Sequence, residues 1–148
     1  MPSTHYSLHC HLVFSTKLRQ PLIDQSWRNR LFGYLGGTIS GLGATPLSIG
    51  GTADHVHLLV GLQASHRISD ILRELKHESS LWVHKEIGVA DFTWQKGYGA
   101  FSVSKSQIEV VRNYIVRQQE HHQKKSFEQE YLELLKRNEI DYDERYLW

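Results

Sequence analysis

The chain holds one cysteine, Cys10, in 148 residues. A lone thiol excludes an internal disulfide, and without cysteine partners it also excludes a zinc ribbon or a CxxC redox pair. Cys10 is therefore expected as a small buried hydrophobe. Long apolar runs are missing as well: no stretch approaches the roughly 20 residues that a membrane-spanning helix needs. The opening Met1-Pro2-Ser3-Thr4-His5 lacks a basic-then-apolar signal pattern, so a cytoplasmic protein with no membrane partner is expected. The Gly-x-x-x-x-Gly-Lys-Ser/Thr loop that cradles nucleotide phosphates does not occur, which argues against a P-loop nucleotide hydrolase. No linker, repeat or low-complexity tract divides the sequence. Charge of one sign is scarce, since the formal net charge is only +1, weaker than the basic excess that often marks nucleic-acid binders.

The chain does contain 40% hydrophobic residues, enough for one ordinary core and hence one domain. Its charges are unevenly placed. Residues 126–148 hold seven acidic groups against three basic ones, leaving residues 1–125 with a net +5. The body, 1–125, is mildly basic, and 126–148 reads as an acidic C-terminal helix and tail of the same domain.

Period-two alternation from Tyr6 to Phe14 sets Tyr6, Leu8, Cys10, Leu12 and Phe14 on one face and His9 and His11 on the other, a half-buried strand. Asp24 can cap a helix with Trp27, Leu31, Leu35 and Ile39 every four positions, stopped by Gly41 and Gly43. A short strand near Leu47 to Ile49, a Gly50-Gly51 turn and an apolar strand from Ala53 to Leu62 should form a hairpin. A second helix runs from Ser65 to Ile87, and a last strand or hairpin from Phe92 to Val103 bends at Lys96-Gly97-Tyr98-Gly99. Capping boxes at Ser106 to Glu109 and Ser126 to Gln129 open two further helices. The order β-α-β-β-α-β predicts an α+β fold of the ferredoxin-like type: a sheet with helices on one face and the other face open, followed by a tyrosine-bearing helix and a C-terminal helix. That fold serves many functions and by itself selects none.

Chemistry concentrates in two places. In Ala53-Asp-His-Val-His-Leu-Leu-Val60 a strand directs His55 and His57 to the same side, their Cα atoms roughly 7 Å apart, a span over which two imidazoles can converge on one cation. Asp54 alternates to the other side, where a structural hydrogen bond is expected of it. In Arg112-Asn-Tyr-Ile-Val-Arg-Gln118 a helical spacing of four stacks Tyr114 on Gln118. A phenol with an ordinary pKa of about 10 needs a nearby cation or base to act as a nucleophile. His9 and His11 are expected to be exposed or to touch nucleic acid; His121 and His122, pointing about 100° apart on a helix, are not expected to share a metal.

Together these pieces resemble the single-tyrosine branch of the His-hydrophobic-His (HUH) transposases, which move insertion sequences as single-stranded DNA, and the REP-associated tyrosine transposases. The matching segments are Val13 to Ile23, Ala53 to Val60, Gly97 to Ser104, and Asn113-Tyr114-Ile115 with Gln118, in the family's order. The resemblance implies a catalytic domain within 1–125 that cuts and rejoins single-stranded DNA through a 5′-phosphotyrosine. Tyr114 would be the nucleophile; His55, His57 and Gln118 would be ligands of Mg2+ or Mn2+. Two imidazoles suit manganese better, since magnesium prefers oxygen. It also implies hairpin or inverted-repeat DNA ends, and a homodimer in which the tyrosine helix of one chain can serve the His pair of the other. The acidic end, 140–148, resembles tails of this family and is expected to fold back over the body or restrain the tyrosine helix.

Lys17, Arg19, Arg73, Lys76, Lys105, Arg112 and Arg117 are candidate phosphate contacts, and Tyr98 and Phe101 could stack on unpaired bases or pack in the protein. A non-catalytic nucleic-acid-binding module on the same fold is the main alternative. A metallohydrolase is the other, though it calls for more carboxylate or histidine ligands than the sequence sets nearby.

Overall fold

The alternation in Leu8–Ser15 (β1) sorts its side chains between two buried surfaces. Cys10, Leu12 and Phe14 enter one core; His11 and Val13 enter another on the opposite side. In the computed structural model, which describes residues 3–122 and 124–147, β1 is central in a four-stranded antiparallel sheet of order β2-β3-β1-β4. β2 is Thr45–Gly51, β3 is His55–Leu62 and β4 is Gly99–Ser102. The predicted βαββαβ order and the antiparallel strands are present. Tyr6 and Leu8, expected on the buried face, are 51% and 44% exposed because they reach past the packed part of the sheet.

Helices α1 (Gln25–Gly41) and α2 (Ile68–Trp82) cover the first face. Asp24 caps α1 by accepting from the Ser26 amide, and Trp27, Leu31, Leu35 and Ile39 are buried as their spacing predicts. Leu12, Phe14, Val56, Leu58, Val60, Leu72 and Leu75 join them in the main core. α2 starts three residues later than expected and passes into a π-helical turn at Val83–Ile87.

The second face is not open. Helix α3 (Ile108–Val116) lays Ile108 and Ile115 on Leu59, and helix α5 (Phe127–Arg137) lays Phe127, Tyr131 and Leu135 on Val13 and Phe101. The reason is apolar surface: both helices carry a hydrophobic stripe, and this side of the sheet offers the matching area. Ser126 and Gln129 form the predicted capping box of α5. The one predicted at Ser106 does not form, because Lys105–Gln107 is a 3-10 turn and the Ser106 hydroxyl meets Ser104 Oγ at 3.1 Å.

Gly50 and Gly51 lie inside β2 rather than in a turn. A Cβ on Gly50 would sit 2.2 Å from the Ile115 carbonyl oxygen, so hydrogen alone lets α3 approach the sheet. Gly50→Ala is expected to push α3 outward and lower stability by about 1–3 kcal/mol, read as a lower denaturant midpoint. An unchanged midpoint would mean that α3 packs less closely than this.

Candidate active site

The strand geometry brings His55 and His57 onto the second face beside Leu59, and both are fully buried. His55 Nδ1 lies 2.7 Å from Asp54 Oδ1 and 3.0 Å from Thr52 Oγ1. Burial works against the charge on Asp54, but hydrogen bonds from His55 and Thr52 hold its carboxyl below the ordinary value. Asp54 thus makes the expected structural hydrogen bond, and it does so to a site residue: an ionised carboxylate accepts a hydrogen bond from Nδ1–H and directs Nε2 into the site. His57 Nδ1 is 2.7 Å from His11 Nε2. His11 is buried, not exposed, because β1 pairs beside β3 with His11 diagonal to His57 and under the helices of the second face. Burial is the main cause that lowers His57 to about 4 and His11 to about 3, so both rings are neutral at pH 7.

Tyr114 and Gln118 do not share an unbroken helix. α3 ends at Val116, Arg117 adopts φ −100° and ψ 23°, and Gln118 opens the short helix α4 (Gln118–His121). That break turns Gln118 fully inward, 1% exposed, with Oε1 at 3.0 Å from His55 Nε2. The imidazoles, the amide and the phenol are therefore brought together, as their spacing had suggested, through a kinked helix.

Two further residues complete the cluster. Glu130, on α5 and 3% exposed, places Oε1 at 2.8 Å from His57 Nε2 and 3.2 Å from His122 Nε2, while Oε2 accepts the hydroxyl of Tyr114. His122 Nε2 also lies 3.1 Å from Gln118 Oε1, whereas His121 packs its ring against Tyr114 instead. His121 and His122 were not expected to share a metal, and only His122 reaches the cluster, because α4 ends there and a turn carries it inward. Glu130 gave no local signal, since a Glu in an acidic helix looks solvated until tertiary contacts are known. Burial disfavours its charge, but hydrogen bonds from His122, His57 and Tyr114 hold it well below the carboxylate range. Burial, then the charge of Glu130, push the Tyr114 phenol far above its ordinary value.

The donor set fits a cation. The ligand atoms of His55, His122 and Glu130 all lie within 4.8 Å of one another, a group able to hold a metal ion. His55 Nδ1 is held by Asp54, and its Nε2 lies 3.0 Å from the Gln118 carbonyl oxygen. The spacing equals the edge of about 3.0 Å between neighbouring ligands around an ion bound at about 2.1 Å.

A sequence family described as "Transposase IS200 like" matches residues 4–118. The chain belongs to the IS200-like transposases. It is accordingly an enzyme of DNA strand transfer, with DNA as its partner. A candidate transposase from Deinococcus radiodurans R1 shares its fold at a TM-score of 0.66 and 23% identity, covering 78% of this chain and 93% of that one. A REP-associated tyrosine transposase bound to a REP hairpin is similar in fold at a TM-score of 0.56 and 12% identity, covering 78% of this chain and 70% of that one. No curated protein sequence matches the chain. The transposase match includes His55, His57, Tyr114 and Gln118 and ends before His122 and Glu130.

The candidate phosphate contacts scatter around this centre. Arg117 lines a cleft of about 420 Å3 with Arg28, Asn29, Gly50 and Gln118, next to the cluster. Arg112 reaches Glu109 at 3.7 Å, Lys105 is exposed just before α3, and Lys17 is exposed after β1. Arg19 pairs with Glu128 of α5 at 2.9 Å. Arg73 and Lys76 lie on α2, against the other face of the sheet; Arg73 pairs with Asp70, and Lys76 donates to the carbonyls of Gln95, Lys96 and Gly97. Tyr98 is 38% exposed beside the Lys76 ammonium, and Phe101 is buried against α5. Among the described residues no helix is long and apolar enough to cross a membrane.

Proposed function

We propose that this transposase cuts and rejoins single-stranded DNA with Tyr114 as its nucleophile, assisted by a divalent ion, Mg2+ or Mn2+, held by His55, His57 and Gln118. The observation that carries the reading is the convergence of one phenol, two buried imidazoles and one inward-facing amide beside His55, His122 and Glu130, a group able to hold a metal ion. The Tyr114 oxygen attacks phosphorus, the bond from phosphorus to the 3′ oxygen breaks, the phenol loses its proton and the 3′ oxygen gains one. A DNA hydroxyl later attacks the 5′-phosphotyrosine and releases the phenol. One phosphoester replaces another, so no nucleotide need be hydrolysed. The bound ion would supply Lewis-acid polarisation of the phosphate. Asp54 and His11 orient the imidazoles, and α3 sets the phenol in place.

Hairpin ends are the substrate form we favour, by analogy with the hairpin bound to the structural relative. Joining two ends calls for two tyrosines and hence a homodimer. Here Tyr114 faces the His pair of its own chain, which favours a site built within each subunit.

Incubating the protein with labelled single-stranded DNA and Mn2+ should yield a denaturation-resistant protein–DNA adduct. Reversible binding alone would make the protein a nucleic-acid-binding module, and cleavage without an adduct would make it a metallohydrolase. Gln118→Ala should weaken metal dependence by about 10- to 100-fold, less than loss of either imidazole because a neutral amide is the weakest donor. A metal titration of adduct yield measures this; an unaltered midpoint would remove Gln118 from the ligand set.

A further inference from the structure

We propose that the cleft between the start of α1 and the helix break at Arg117 is a base-reading subsite: it takes one unpaired nucleotide next to the scissile phosphate and makes strand transfer depend on that base. The inference rests on the strand-transfer reading above.

The first support is placement. Gln118 belongs both to the lining of the cleft and to the cluster, where its Oε1 lies 3.0 Å from His55 Nε2. Arg28 of α1 also lines the cleft. Burial lowers its pKa, and the charges of Asp24 and Asp54 act the other way, so the guanidinium stands near the carboxylate that holds His55. A nucleotide seated here is the neighbour of a phosphate within reach of Tyr114. The volume, about 420 Å3, falls in the range of about 300–1,000 Å3 that small-molecule sites occupy. That is room for one nucleotide and not for a duplex.

The second support is the chemistry of the lining. Arg28 commits one N–H to the Ile23 carbonyl oxygen at 2.9 Å and forms no ion pair, and Arg117 has no ion-pair partner among the described residues. Two guanidiniums with unused donors suit a phosphate, whose oxygens accept from such a fork. Asn29 and Gln119 are exposed in the same lining, and their amides make no hydrogen bond among the described residues. An amide presents a donor beside an acceptor, the pattern that reads a base edge. Only an unpaired base has its pairing edge free for such contacts. Phe32, half-buried, adds apolar surface against which a base can rest. Glu120 is the one carboxylate of the lining, which therefore keeps a net positive charge.

Two measurements test the subsite. In a Tyr114→Phe chain, which cannot react, a random-sequence single-stranded oligonucleotide carrying 4-thiothymine should photocrosslink to residues 25–32 or 116–120, mapped by mass spectrometry of the peptides. The absence of crosslinks from both segments overturns the subsite. With Tyr114 intact, the same random pool without thiothymine is reacted with Mn2+, and the attached and released strands are sequenced. One position next to the cut should show a preference of at least about fivefold between best and worst base, the scale of one good amide–base contact. Asn29→Ala and Gln119→Ala should each weaken that preference and together flatten it, with the Mn2+ affinity and the denaturant midpoint unchanged, since both side chains are exposed. A wild-type pool without bias at that position, or a bias that the double variant keeps, overturns the subsite. If wild type still forms its adduct in those cases, the strand-transfer reading stands. The absence of any adduct, in wild type and variants alike, overturns that reading and the subsite with it.

Discussion

Tyr114→Phe is expected to abolish the covalent protein–DNA adduct, lowering its rate of formation by at least about three orders of magnitude, the scale on which removal of a nucleophile acts. The substitution deletes one oxygen and keeps the ring, so the contacts of the ring with His57 and His121 survive. What is lost is a hydrogen bond to a charged carboxylate, and Glu130 Oε2 keeps the Gln118 amide at 3.3 Å. Losing such a bond costs about 1.5–3 kcal/mol, too little to unfold a domain whose stability is about 5–15 kcal/mol. DNA binding should persist, since the candidate phosphate contacts are other side chains. Denaturing gels of labelled DNA read the adduct, circular dichroism reads the fold, and an adduct that survives the substitution would move the nucleophile to another residue.

His55→Ala and His57→Ala should each eliminate metal-dependent cleavage. Each removes an imidazole from the proposed ligand set and leaves a cavity in a fully buried site. The accompanying loss of stability should be about 2–5 kcal/mol, as for other large-to-small buried changes. Because a misfolded variant would also be inactive, Asp54→Ala is the informative companion. It keeps both imidazoles but removes the carboxylate that fixes the His55 ring, and metal affinity should fall about 10- to 100-fold with the fold intact. Isothermal titration with Mn2+ distinguishes these cases. Normal cleavage and unchanged metal demand in either histidine variant would show that the ion, if required, is held elsewhere.

Much of the fold was legible because it follows from local periodicity. The stripe Trp27, Leu31, Leu35 and Ile39 and the alternation along β1 and β3 each report which side of an element is buried. The same alternation turned His55 and His57 the same way, and the spacing of Tyr114 to Gln118 marked a second chemical segment. Glycines were harder to read. Gly50-Gly51 looks like a turn in the sequence, but close approach of Ile115 to Gly50 and of His55 to Gly51 explains them in a strand.

By itself, then, the sequence determined the order of elements, the core of the first sheet face and the shared strand face of His55 and His57. All of these depend on neighbours a few positions apart, where strand and helix periods apply. Only the tertiary structure decided that the second face is covered, that the helix breaks at Arg117 to turn Gln118 inward, and that His11, His122 and Glu130 join the cluster. Glu130 meets His57 across 73 positions and His11 meets it across 46. Contacts at such separations arise from how whole elements pack, and no local period encodes them.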